Sequence, residues 1–129
     1  MKQESRTQPT PSELEILQIL WTRGPSTVRE IHDVLGKEKD VGYTSVLKFL
    51  QIMTTKCLVT RTEDQRAHVY TATLPAEKTK QQFAADVLHR VFRGSASQLM
   101  QHVLSGRRGS KKEIEEIRRM LDEYEGKLP

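Results

Sequence analysis

Thr44, Ser45, Lys48 and Gln51 can each donate a hydrogen bond, and their spacing gathers them on one side of a helix. Tyr43, Val46, Leu47, Leu50 and Met53 fall at i, i+3, i+4, i+7 and i+10, the apolar face of the same helix. Donors without nearby acids suit a polyanion. Residues 41–62 contain Lys48, Lys56 and Arg61 and no Asp or Glu. Thr44, Ser45 and Lys48 are the candidates for contact with a DNA major groove, and the helix start also favours a phosphate. Gln51 can pair bidentately with adenine or stand as an ordinary surface residue. Tyr43 can reach a phosphate through its hydroxyl or stay half-buried. Phe49 and Ile52 lie off the main apolar stripe and are expected to pack on a second face of the core. For the outward residues the alternative is a plain solvated helix face.

The next two runs, 56–61 and 65–70, are short and β-branched, with a polar tip at Glu63-Asp64-Gln65-Arg66 between them. They read as a hairpin. Arg66 and His68 belong to it. An Arg there can enter a minor groove or neutralise a phosphate, and a solvated tip is the alternative. Lys56 and Arg61 are expected phosphate contacts, with surface solubility as the alternative. Cys57, at the helix end, is expected as a small buried side chain; a redox-sensing thiol is the other reading.

Several function classes fall away. There is no nucleophile–base set, no paired carboxylates in a plausible cleft and no Gly-rich phosphate loop, so no enzyme is expected. His32, His68, His89 and His102 lack the paired i, i+4 spacing of metal ligands, and the single Cys excludes a multi-thiolate site or an internal disulfide. No metal and no cofactor are expected. No apolar run approaches ~18 residues, so membrane insertion is not expected. No apolar stretch follows the polar N-terminus, so the expected location is the cytoplasm. The 129 residues are 36% hydrophobic and 5% aromatic, which points to a modest core of Leu, Ile and Val. The net charge is +4, but residues 1–74 hold 10 basic and 9 acidic groups and residues 75–129 hold 11 and 8. Total charge therefore does not single out nucleic acid; the local pattern around residues 41–62 does.

The elements that must position these residues are legible from capping chemistry and periodicity. Residues 1–9 are polar and unpatterned, and a flexible arm is expected. Thr10-Pro11-Ser12-Glu13 opens a first helix with a capping box and Pro at its first position. Leu14, Leu17, Leu20 and Trp21 supply its buried face, and Gly24-Pro25 stops it. Thr27 to Glu30 is a second capping box; Val28, Ile31, Val34 and Leu35 form the second stripe and Gly36 ends it. With the third helix and the hairpin, residues 10–74 read as a winged helix-turn-helix. Residues 75–129 differ. Pro75 can start a helix through Phe92, with Phe83, Val87 and Val91 in one stripe and Gly94 at its end. Leu99 and Val103 mark a shorter segment. Ser110 to Glu113 is a third capping box, and Ile114, Ile117, Leu121 and Tyr124 follow at spacings 3, 4 and 3. That narrow seam suits one helix meeting another. Three short helices bury little alone, so this region is expected to dimerise. The predicted class is mainly α with a small β-hairpin: a DNA-binding winged helix plus a C-terminal helical dimerisation domain.

In this order and spacing the chain resembles the penicillinase-repressor (BlaI/MecI/CopY-type) transcriptional regulators, from about Pro9 to Leu128. The anchors are Ser12 to Leu17 with Leu20-Trp21, Thr27 to Ile31, Tyr43 to Leu47, Lys56 to Val59, Arg66 to Tyr70, Phe92 to Ser95 and Glu113 to Ile117. The resemblance implies a homodimeric repressor on a palindromic double-stranded operator. In one branch it also implies β-lactam-resistance-type genes, a membrane sensor protease acting directly or indirectly, and cleavage in the C-terminal domain. By alignment that bond would fall at His102-Val103, where relatives carry Asn-Phe. Other departures are Gln51-Ile52-Met53 in place of a polar-Arg-Leu segment, Cys57 in a turn that often holds Gly, and Gln65 where the wing tip commonly has Gly. The C-terminal cysteines of the copper-responsive branch are missing. The competing expectation is a winged-helix protein-interaction module with weak DNA binding, motivated by the near-neutral charge of residues 1–74.

Overall fold

The computed structural model describes residues 8–64, 66–106 and 108–129. Residues 1–7 of the predicted arm, Gln65 of the predicted wing tip and Arg107 lie outside the described residues. The elements are α1 (Pro11–Arg23), β1 (Ser26–Thr27), α2 (Val28–Leu35), α3 (Tyr43–Thr55), β2 (Val59–Asp64), β3 (Ala67–Ala72), α4 (Ala76–Phe92), α5 (Ala96–Leu104) and α6 (Lys111–Gly126). The chain is mainly helical, with a small antiparallel sheet in the order β1-β3-β2, and its class is that of a winged helix followed by helices. It divides into two compact units, residues 1–81 and 82–129, so the division falls within α4.

The first unit is built on local signals that agree with one another. Thr10 Oγ1 accepts from the Glu13 N–H at 3.3 Å, and the Glu13 carboxylate accepts from the Thr10 N–H at 3.0 Å. Thr27 and Glu30 repeat this capping box at the start of α2. Gly24, at φ +91, closes α1 and donates its N–H to the Leu20 carbonyl, a conformation that favours glycine. Gly36 closes α2 at φ −67, so its conformational freedom is not used. Ile16, Leu17 and Leu20 from α1, Ile31 and Leu35 from α2, and Val46, Leu50 and Met53 from α3 make one core with Leu58, Val59 and Tyr70 from the hairpin. The Trp21 indole N–H donates to the Leu74 carbonyl at 2.9 Å, tying α1 to the strand that leaves the sheet.

Several expectations are corrected here. Ile16 and Ile19 are buried alongside the predicted stripe of α1, while Leu14 and Trp21 are only partly covered. Pro9, expected in the polar arm, is buried. The strand β1 was not predicted. It is two residues long, and its pairing of Ser26 with Tyr70 and Thr27 with Val69 depends on β3 rather than on any alternation of its own. The wing strands run further than predicted, with Glu63 opposite His68 and Asp64 opposite Ala67. Cys57 is exposed rather than buried, at φ +65. It follows the last turn of α3, where a helix that must reverse often uses a left-handed residue.

In the second unit, Ser95 Oγ accepts from the Gln98 N–H to start α5, and Ser110 Oγ accepts from the Glu113 N–H to start α6. At the end of α4, Arg93 and Gly94 both take positive φ, and the Gly94 N–H donates to the Leu88 carbonyl at 2.9 Å. Two successive left-handed residues thus end α4, the first of them Arg93 rather than a glycine. Among its described residues no large apolar side chain is buried. Phe83, Val87, Leu99 and Ile117 are half-buried; Val91, Val103, Ile114, Leu121 and Tyr124 are exposed.

Candidate nucleic-acid interface

Burying Val46, Leu50 and Met53 fixes the rotation of α3 about its axis. Thr44, Ser45, Lys48 and Gln51 then face solvent together, and all four are exposed. The start of α3 is held from α2. His32 Nε2 lies 2.9 Å from the Val41 carbonyl, and its ring meets Tyr43 edge-on with centroids 5.9 Å apart. Tyr43 is 48% exposed, so it stands at the rim of the helix start rather than in the core. Gly42 gives α3 no side-chain cap, in contrast to Thr10 and Thr27. The first backbone N–H groups of α3 are therefore available to an external acceptor. The helix holds no acidic residue in its first turn or anywhere else.

The far end of α3 is held by a different device. Lys56 Nζ sits 2.7 Å from Glu13 Oε1, with the Glu13 side chain 4% and the Lys56 side chain 21% exposed. The same carboxylate oxygen accepts from the Thr10 N–H. One carboxylate thus caps α1 and anchors the end of α3. This alters the expectation for Lys56: its ammonium is engaged inside the fold, because the nearly buried Glu13 needs a counter-charge more than the surface needs a cation. Beyond it, Thr73 Oγ1 donates to the Cys57 carbonyl at 2.7 Å, which secures the turn into β2.

On the wing, Arg61 and Arg66 are exposed and make no ion pair among the described residues. His68 lies 3.4 Å from Glu63, its cross-strand neighbour, so its ring faces an acid of its own hairpin. The structure therefore groups Thr44, Ser45, Lys48 and Gln51, leaves Arg61 and Arg66 without an ion pair among the described residues, and gives Lys56 and His68 partners within the fold.

Ile52 was expected in the core and is 41% exposed, on the outward side of α3. The signal was present in the spacing. Ile52 is four residues after Lys48 and only two after the buried Leu50, which places it away from the buried stripe. The Glu13–Lys56 pair was out of reach of local pattern, because 43 residues separate the partners.

Two curated proteins from two strains of Mycobacterium tuberculosis, each named transcriptional regulator BlaI, are 41% identical over 59 residues, which make up 45% of this chain and 43% of each relative. The aligned stretch thus spans less than half the length of these relatives. The family described as penicillinase repressor matches residues 9–123, nearly the whole chain. On that match, the chain belongs to the penicillinase-repressor family.

Proposed function

We propose that the chain is a sequence-specific DNA-binding transcriptional repressor that acts as a homodimer on a palindromic operator. The observation that carries this reading is the outward face of α3: hydroxyls and an amide around Lys48, which has no ion pair among the described residues, with no acid on the helix. Each subunit would place α3 in one major groove, with the uncapped helix start toward a phosphate and Arg61 and Arg66 of the wing against the backbone. The names of the relatives support the regulatory role. The dimer is supported by the second unit, whose apolar side chains have no core of their own to enter, with Leu121 60% exposed on α6. Two-fold symmetry in the protein then asks for two-fold related half-sites.

The reading extends to relief of repression on β-lactam-resistance-type genes, by cleavage of the His102–Val103 bond under the control of a sensor protease. That bond lies inside α5. A protease needs extended backbone, so α5 must open locally before the bond is cut. Mass spectrometry after limited proteolysis should find His102–Val103 cut only under conditions that loosen α5.

The deciding experiment is fluorescence anisotropy with DNA from the chain's own upstream region, a salt titration and a random-sequence competitor. Binding that survives the competitor and weakens with salt supports a repressor. If neither this DNA nor fragments selected from a genome outcompete random sequence, the protein-interaction reading takes its place.

A further inference from the structure

Among the described residues of the first unit, the large apolar side chains left exposed are Tyr43 and Ile52, and both lie on α3. Tyr43 has a partner in the His32 ring. Ile52 has none. It follows Ser45 by seven residues and Lys48 by four, so it extends the outward row that begins at Thr44. A β-branched residue on a solvated helix face gains nothing from packing and is a poorer helix former than Lys, Gln or Leu. A group that covers Ile52 in a complex would be apolar. It would also belong to something that accepts a cation and several hydrogen-bond donors beside it, on a helix without acids. The major groove of DNA meets both demands, because the thymine C5-methyl is the apolar group among its acceptors and donors.

We propose that Ile52 reads a thymine methyl in each operator half-site and so sets part of the sequence preference. The inference rests on the DNA-binding reading above. Ile52 stands eight residues beyond Thr44, about 12 Å along the helix. With α3 along the groove, the thymine lies roughly three to four base pairs from the pair nearest Thr44.

The test uses the full chain and a duplex selected by it from random DNA. Each thymine is replaced in turn by deoxyuridine, which removes the methyl and keeps the hydrogen-bonding edge. The unaltered protein should lose roughly four-fold in affinity at one thymine per half-site, the worth of one methyl taken out of water. Ile52→Ala should bind the original duplex more weakly and be indifferent to deoxyuridine at that same position, while keeping its sensitivity elsewhere. Ile52→Val should keep part of the effect, and thermal unfolding of both variants should match the unaltered protein. Equal deoxyuridine losses in the unaltered protein and in Ile52→Ala at every position would overturn the assignment of Ile52 while leaving operator binding intact. Failure of the unaltered protein to select any sequence would overturn the DNA-binding reading, and this assignment with it.

Discussion

The two units use similar amounts of helix to opposite ends. In the first, residues from three helices and a hairpin converge on one core, and Ile16, Leu17, Ile31, Val46, Leu50, Met53 and Leu58 are completely covered. In the second, capped helices of good length carry apolar side chains that stay at the surface, Val91, Leu121 and Tyr124 among them. The difference is not one of local helix quality, since Ser95 and Ser110 cap their helices as Thr10 and Thr27 do. It lies in whether the apolar stripe of each helix has somewhere to go. A stripe that finds partners in its own chain gives a domain; a stripe that does not stays at the surface.

The contrast can be broken most severely at Leu50. Leu50→Ala removes a fully covered side chain from the first core and should cost about 2–5 kcal/mol. Denaturant unfolding should show that loss at every protein concentration. Leu121→Asp should behave otherwise. A carboxylate in the proposed seam should weaken association by roughly 2–4 kcal/mol, read by sedimentation, and operator affinity should fall with it. A variant that sediments as a dimer would mean the seam has been placed on the wrong helix face.

Smaller changes sharpen the picture within the first unit. Glu13→Gln leaves Lys56 partly covered without its counter-charge and weakens the cap of α1; about 1–3 kcal/mol of stability should be lost, scaled down for the exposure of Lys56. Lys48→Ala should leave unfolding unchanged, weaken operator binding by about 1–2 kcal/mol, and lower the slope of log affinity against log salt by roughly 0.9. Unchanged binding would remove Lys48 from the interface. The smallest effect belongs to Glu30. The Thr27 backbone N–H, helped by Arg23, holds its carboxyl below the usual 4.5. A carboxyl depressed by folding contributes stability above its unfolded value and loses that contribution as pH falls through the folded one. The unaltered protein should therefore lose slightly more thermal stability than Glu30→Gln on acidification below 4.5.

Much of this was legible in the sequence where the determining physics is local. Capping boxes, the Val46–Leu50–Met53 stripe and the order of helices and hairpin all follow from residues within one turn or one strand of each other. What escaped depends on distant partners. The strand β1 exists because β3 passes beside it. Lys56 looked like a phosphate ligand until Glu13, far away in sequence, took its charge. Cys57 looked like core because small apolar residues usually are, yet the reversal after α3 puts it in a left-handed conformation facing solvent. Ile52 was misplaced for a different reason: its type was weighed above its spacing.

The hydrogen bond from Trp21 to Leu74 has an optical consequence. The chain has a single tryptophan, and its indole is anchored inside the first unit, with Lys80 Nζ 5.9 Å from the ring centroid. Its emission therefore reports on that unit, to which Tyr43 and Tyr70 also belong. Exciting the indole alone follows melting of the first unit. The protein thus carries a native dye for one half of the contrast and needs no label to follow it.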